Sequence, residues 1–194
     1  KILIGTHNAG KFKELSFLIS KKIKKISPKT LKIKSPRETG KTFSANAILK
    51  AKYFSQFINF PVISDDSGLC IKSLGNKPGI YSARWAKKYG DFNKAMKFIL
   101  KQMERKKDRS ATFICSLALI LKGKKITTVT GKIKGSISFK IKGIKGFGYD
   151  PIFIPNKSKL TFGQISISKK MKIDHRSIAF KKLKKKLKFS KFFI

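Results

Sequence analysis

Apolar residues in this chain come in short runs that switch between two spacings, and this confines the fold. Ile2-Leu3-Ile4, Pro61-Val62-Ile63 and the mostly apolar residues 111–121 are runs of strand length. Phe12, Leu15, Leu18 and Ile19 instead recur at helical spacing, as do Phe92, Ala95, Met96, Ile99 and Met103. Thr42 is a natural N-cap for a helix running through Phe43, Ala47, Leu49, Ala51 and Phe54. Leu31-Lys32-Ile33 reads as a second strand. Pro61-Val62-Ile63 reads as a third, ending at Asp65-Asp66, with Leu69-Cys70-Ile71 pairing beside it. Gly123-Lys124 turns residues 111–121 into a partner strand at 126–132, and 133–139 continues the β region. A last helix begins near Ser177, with Phe180, Leu183 and Leu187 spaced for burial. No internal repeat and no Pro/Ser linker divides the chain. The expectation is a single α/β domain over residues 1–194, with mixed strands rather than a regular βαβ alternation.

Charge narrows the function classes. Lys and Arg number 47 against nine Asp and Glu, a net charge of +38, yet only five of the basic residues are Arg. A nucleic-acid reader would use more Arg for bidentate contacts. Lysines spread along the whole chain beside many Ile and Phe read instead as the habit of a source proteome, with no specific nucleic-acid partner. The charge still draws in polyanions, nucleoside triphosphates included. The basic tail from Phe180 to Phe189 could lie on an anionic membrane. A helix of this kind more often docks its Phe and Leu on the core and leaves Lys in water. Cys70 and Cys115 sit in apolar runs and read as buried thiols of a reducing compartment. No apolar stretch nears the about 18–20 residues that span a bilayer, and the opening strand lacks a secretory apolar region. A cytoplasmic protein with no membrane partner is expected.

Within so acid-poor a chain, the adjacent pair Asp65-Asp66 in Ser64-Asp65-Asp66-Ser67-Gly68-Leu69 needs a reason. Like charges side by side do not help a fold, so they ask for a cation between them and something anionic. Magnesium prefers one or two carboxylates plus phosphates and water. One aspartate can hold the metal while a neighbour, or the same group, takes a proton from an attacking water. Ser67 can donate to a phosphate oxygen. The competing reading is a polar turn, since Asp, Ser and Gly all form turns.

Four other clusters accompany the pair. Thr6-His7-Asn8-Ala9-Gly10-Lys11 joins a strand to a helix N-terminus, where free N–H groups and Lys11 suit a triphosphate, although the spacing is not a Walker A loop. Asn46 and Lys50 are four apart on one helix face, and Glu38 precedes that helix. Together they look like a metal-and-phosphate wall. Gly146-Phe147-Gly148-Tyr149-Asp150-Pro151 offers close backbone approach and an aromatic face for a base. His175-Arg176, near Lys170, forms a donor pair suited to a 6-oxo purine rather than to adenine. Each cluster alone also has a structural reading: an Asn-rich turn, a capped helix, a tight aromatic turn, or a polar helix start.

Together these residues resemble the inosine triphosphate pyrophosphatase family, the nonstandard-purine dITP/XTP pyrophosphatases. The resemblance runs nearly end to end. It rests on Thr6 to Lys11, Glu38-Thr39-Gly40 with Phe43, Asn46-Ala47 and Lys50-Ala51, then Asp65 to Leu69, Pro78-Gly79-Ile80-Tyr81-Ser82-Ala83-Arg84, Gly146 to Pro151 and Ile173-Asp174-His175-Arg176. It implies a two-lobed α/β fold with a long mixed β-sheet flanked by helices and the active site in the cleft between lobes. It implies a homodimer, a need for Mg2+, and hydrolysis of ITP, dITP and XTP to monophosphate and pyrophosphate, which keeps deaminated purines out of nucleic acids. By family pattern Asp66 is proton acceptor and metal ligand, Glu38 a second metal ligand, and Asp65 a supporting carboxylate. Thr6, His7, Asn8, Ala9, Gly10, Lys11, Lys50 and Ser67 would hold phosphates. Phe147, Gly148, Tyr149, Asp150, Lys170, His175 and Arg176 would form the nucleotide and base pocket. Lys72, Gln164 and Asp174 depart from the family's usual Asp or Glu, Glu and Ser. Related pyrophosphatases of pyrimidine or methylated nucleotides are the alternative within the same fold type, and a basic binding module is the alternative outside it.

Overall fold

The structure, a computed structural model, describes residues 1–121 and 125–187. The expected Gly123-Lys124 turn and the end of the basic tail lie outside them. In chain order the elements are β1 (Ile2–Ile4), α1 (Ala9–Leu18), β2 (Lys25–Ile26), α2 (Phe43–Ser55), β3 (Val62–Ile71), β4 (Lys77–Pro78), α3 (Ser82–Tyr89) and α4 (Phe92–Gln102). Then come β5 (Ser110–Ile120), β6 (Ile126–Ile137), β7 (Phe153–Pro155), α5 (Ile167–Ile173) and α6 (His175–Lys186). The strands form a seven-stranded sheet in the order β2-β1-β3-β5-β6-β7, with β4 beside β3. Parallel pairs (β1 with β2 and β3) and antiparallel pairs (β3 with β4, β6 with β7) make it mixed. Among the described residues no helix is long and apolar enough to cross a membrane.

The chain divides into two compact units. The first holds Lys1–Asp66, Cys115–Gly131 and the segment from His175 onward. Strand periodicity sorts its core into two faces. Ile2, Ile4, Ile63, Cys115 and Leu117 pack with Leu15 of α1 and Ala179, Phe180 and Leu183 of α6. Leu3, Val62, Ala118 and Ile120 point the other way, to Ala47, Ala51 and Phe54 of α2. Thus α1 and α6 cover one face and α2 the opposite one. The α6 contacts match the expected docking of the tail's Phe and Leu, as far as the described residues run.

The second unit holds Ser67–Ile114 and Lys132–Asp174. Its core joins Leu69 and Ile71 of β3, Ala95, Met96 and Ile99 of α4, and Phe113, Ile137, Phe153 and Phe162. The segment after β4, marked in the sequence as Pro78 to Arg84, braces the start of this unit. Ser82 Oγ accepts from Leu69 N–H at 3.0 Å and donates to Gly79 O at 2.7 Å.

Three expectations change. Leu31 to Ile33 is a turn, not a strand: Leu31 and Ile33 N–H both donate to Pro28 O, and Lys32 has φ 55°. The second strand is Lys25–Ile26, paired with Ile2 and Leu3. The aspartate pair does not end a strand or make a turn; β3 runs unbroken from Val62 to Ile71. Cations beside each carboxylate remove the repulsion that would otherwise favour a break. The last helix starts at His175, two residues before Ser177.

One edge has a guard. Strand β7 meets β6 only at Gly135–Ile137. Further back, Thr130 O and Thr128 O accept from the ammonium groups of Lys182 and Lys186, at 2.9 and 3.2 Å. Charged side chains laid on a strand edge discourage pairing with another chain.

Candidate active site

The period of β3 gives its two aspartates different surroundings. Neighbouring residues of a strand point to opposite faces. Asp65 follows Ile63 toward α1 and α6, and Asp66 follows Val62 toward α2. On the first face Arg176, the second residue of α6, donates Nη2 to Asp65 Oδ2 at 3.0 Å and Nη1 to Glu14 of α1. Lys11 Nζ, also from α1, lies 3.4 Å from Asp65 Oδ2. On the second face Asn46 of α2 donates Nδ2 to Asp66 Oδ2 at 3.0 Å. Asp66 Oδ1 sits 4.0 Å from both Lys11 Nζ and Lys50 Nζ.

Electrostatics separates the pair further. Burial alone would raise Asp65, but Lys11, Arg176 and Lys50 outweigh it and hold the carboxyl well below the usual carboxylate range. For Asp66 burial wins, helped by the Glu38 charge and opposed by Lys11, Lys50 and Asn46, so its carboxyl is raised. Burial pulls the Lys50 ammonium down, yet Asp65, Asp66 and Glu38 leave it raised and firmly charged.

Local sequence explains how Glu38 arrives. Thr42 caps α2 by accepting from Ala45 N–H at 3.1 Å. Asn46 Oδ1 accepts from Gly40 N–H at 2.8 Å, and a Cβ on Gly40 would lie 2.6 Å from that oxygen. Only glycine lets the 38–40 segment sit this close, and Glu38 Oε1 then meets Lys50 Nζ at 2.5 Å. Glu38 and Asp66 therefore both face Lys50. Mg2+ prefers one or two carboxylates completed by phosphate oxygens and water, and rarely takes an all-protein cage. Among the described residues no group of three or more His, Cys, Asp or Glu gathers as a metal site. Glu38 and Asp66 are oxygen donors of the type that Mg2+ takes.

The loop after β1 is organised by its own polar side chains. Asn8 caps α1, accepting from Lys11 N–H at 3.0 Å, and Thr6 Oγ1 accepts from Asn8 N–H at 3.2 Å. Ala9 and Gly10 open the helix. The N–H groups and dipole at a helix start of this kind favour anions. His7 is exposed, with Nδ1 2.5 Å from Ser35 Oγ. His175, at the start of α6, is buried.

The second unit holds the other expected residues. Ser67 is half-buried in β3. Gly146 and Gly148 have φ of 74° and 65°, and between them Phe147 N–H donates to Asp150 Oδ2 at 2.8 Å. That same oxygen lies 2.5 Å from Lys170 Nζ, which also sits over the Phe147 ring at 5.0 Å and the Phe162 ring at 5.3 Å. Asp150 and Lys170 are both buried. Tyr149 OH donates to Ser82 O at 3.0 Å, and burial pushes this hydroxyl's pKa up. Within this unit, then, Asp150 meets a lysine and a backbone N–H, and Tyr149 braces the loop against Ser82.

Sequence reasoning missed Glu14. It is buried in α1, and its partner Arg176 lies 162 positions away. A buried acid among so many lysines had one signal: its place one helical turn after Lys11.

A family model described as the Ham1 family matches residues 2–186. The chain belongs to the Ham1 family. A dITP/XTP pyrophosphatase of Oceanobacillus iheyensis is 44% identical over 190 residues, covering 95% of this chain and 96% of the relative. The dITP/XTP pyrophosphatase of Bacillus subtilis is 39% identical over 196 residues, with 95% and 96% covered. Among solved structures, a HAM1 protein from Coxiella burnetii superposes with a TM-score of 0.85 at 32% identity, covering 97% of this chain and 98% of that one. The Staphylococcus aureus Ham1 protein gives 0.84 at 33% identity, with 96% and 97% covered. The Ham1 family is thus shared across nearly the whole chain, and its α/β fold with a mixed sheet is the one seen here.

Proposed function

We propose that this Ham1 family member hydrolyses deaminated purine nucleoside triphosphates (ITP, dITP and XTP) to the monophosphate and pyrophosphate. The observation that carries the chemistry is the divided aspartate pair. One strand places Asp65, held well below the usual carboxylate range by its cations, beside a raised Asp66, and carboxylates pushed apart in pKa mark a division of acid–base work. The relatives named dITP/XTP pyrophosphatase support the substrate class.

In this reading water attacks the α-phosphorus and the bond to the β-phosphate oxygen breaks. Asp66 takes the proton of the attacking water, and pyrophosphate leaves. Asn46 fixes the plane of the Asp66 carboxylate. Lys11, Lys50 and the N-terminus of α1 (with Thr6, His7, Asn8, Ala9 and Gly10) hold phosphate oxygens and offset the charge gathering on the leaving group, with Ser67 as a further donor. Glu38 and Asp66 would hold Mg2+, which when bound lowers the cost of phosphate charge. His175 donates to the 6-oxo group of the base. Phe147, with Asp150 and Lys170 against it, supplies the ring against which the base stacks, and Gly148 and Tyr149 follow it in the same loop. Arg176 serves by holding Asp65.

We also propose a homodimer in the cytoplasm. The second unit exposes Ile144 (99%) and Phe139 (84%), large apolar side chains that a second copy could cover. Light scattering after size exclusion reads the assembly. The activity is tested by pyrophosphate release from ITP, dITP, XTP, GTP, ATP and dUTP, with and without Mg2+. Release from ITP, dITP and XTP, dependent on Mg2+, is expected. No release from any of ITP, dITP and XTP would sink the reading, and preference for dUTP would move the chain to the pyrimidine enzymes.

A further inference from the structure

We infer that Glu14 is a positioning residue for this reaction: acting through the Arg176 guanidinium, it fixes the Asp65 carboxylate without touching substrate. The inference rests on the pyrophosphatase reading and adds a residue to it.

Glu14, Arg176 and Asp65 are all essentially inaccessible, at 2%, 0% and 0% exposure. Ionised groups are buried at high cost unless each has a partner. Arg176 meets that need for both carboxylates at once, giving Nη1 to Glu14 and Nη2 to Asp65. Asp65 in turn lies 3.4 Å from Lys11. Lys11 is three residues before Glu14 on α1, so both lie on one helix face. The charges therefore form a line, Glu14–Arg176–Asp65–Lys11, in which signs alternate and sum to zero.

This line of charges joins three parts of the proposed machinery. Lys11 belongs to the phosphate loop, Asp65 adjoins the proton acceptor, and Arg176 follows the base-reading His175 on α6. Glu14 is the one member with no proposed contact to substrate and no sequence neighbour in the chemistry. Its carboxylate decides where the guanidinium's outer edge points, and the planar fork then decides where the inner edge meets Asp65. A purely structural role would need burial and packing, which an apolar residue supplies at less cost. A charge held here, at the far end of a fork whose near end holds Asp65, points to orientation.

Replacing Glu14 with Gln keeps the shape and removes the charge. Supporting partners of this kind typically change activity by about 10–100-fold, so kcat for dITP should fall within that range while KM moves little. Glu14→Asp, which keeps the charge on a shorter stem, should recover part of the lost kcat. Single-turnover rates in an Asp65→Asn background should show Glu14→Gln adding no further loss, since its effect passes through Asp65. Melting temperatures and circular dichroism of each variant separate folding from positioning. A Glu14→Gln protein that melts lower but keeps wild-type kcat would overturn the inference, as would equal kcat for the Asp and Gln variants. Wild-type protein that releases no pyrophosphate would instead sink the underlying reading, so the two failures are distinct.

Discussion

At the scale of single residues, a two-residue period does the sorting. Asp65 and Asp66 are adjacent in sequence but face different helices, so one meets Arg176 and the other Asn46. Asp66→Asn should lower kcat by at least the about 10²–10⁴-fold typical of a lost general base, read by steady-state pyrophosphate release. Near-wild-type kcat in that variant would place the base elsewhere. Cys70 gives a second check. Burial pushes its thiol up, against a smaller opposing effect of Lys132. A raised thiol stays neutral at pH 8, and the thiolate is the reactive form. Native protein should therefore react with iodoacetamide more slowly than a free thiol at pH 8, faster as pH rises, and at Cys70 before the buried Cys115. Mass spectrometry of the labelled sites would show fast labelling if the environment were wrongly read. The aspartate pair was legible in the sequence because acids are so scarce. Glu14 was not, because the meaning of a buried carboxylate depends on a guanidinium brought from the other end of the chain.

At the scale of elements, caps and glycines place the site. Thr42 ends the loop that carries Glu38 and starts the helix that carries Asn46 and Lys50. Thr42→Ala should cost about 1 kcal/mol of stability, the usual loss for such a cap. Urea titration measures it, and an unchanged midpoint would mean that packing of Ala47, Ala51 and Phe54 alone sets this helix end. The long periodic elements were readable: α1, α2, α4 and β5 carry continuous spacing signals. The two-residue β2 was not. Lys25-Ile26 has no alternation to read, and it exists because Ile2 and Leu3 offer it hydrogen-bonding partners. Leu31-Lys32-Ile33 has the apolar alternation of a strand, but Pro28 O gathers the N–H groups of Leu31 and Ile33 into a turn. The strand through Asp65-Asp66 was misjudged for an electrostatic reason: the cations that make an unbroken β3 tolerable come from α1, α2 and α6.

At the scale of the molecule, net charge dominates behaviour in solution. A charge of +38 repels itself, and salt screens that repulsion over a Debye length of about 10 Å at 0.1 M. The melting temperature should rise by several degrees between roughly 10 and 150 mM NaCl. A flat response in differential scanning calorimetry would show that local ion pairs already balance the field. Polynucleotide binding should show a steep salt slope and vanish near physiological salt, as expected for nonspecific attraction. A filter-binding titration that keeps a defined affinity there would revive a nucleic-acid role.

Two of those positive charges are not interchangeable with the rest. Lys182 and Lys186 lie across the carbonyls of β6. Anyone thinning the lysines to ease crystal growth or purification could edit widely over this surface. Stripping those two, however, would bare a strip of unpaired backbone, and the edited protein would gain a sticky seam just as it lost its mutual repulsion.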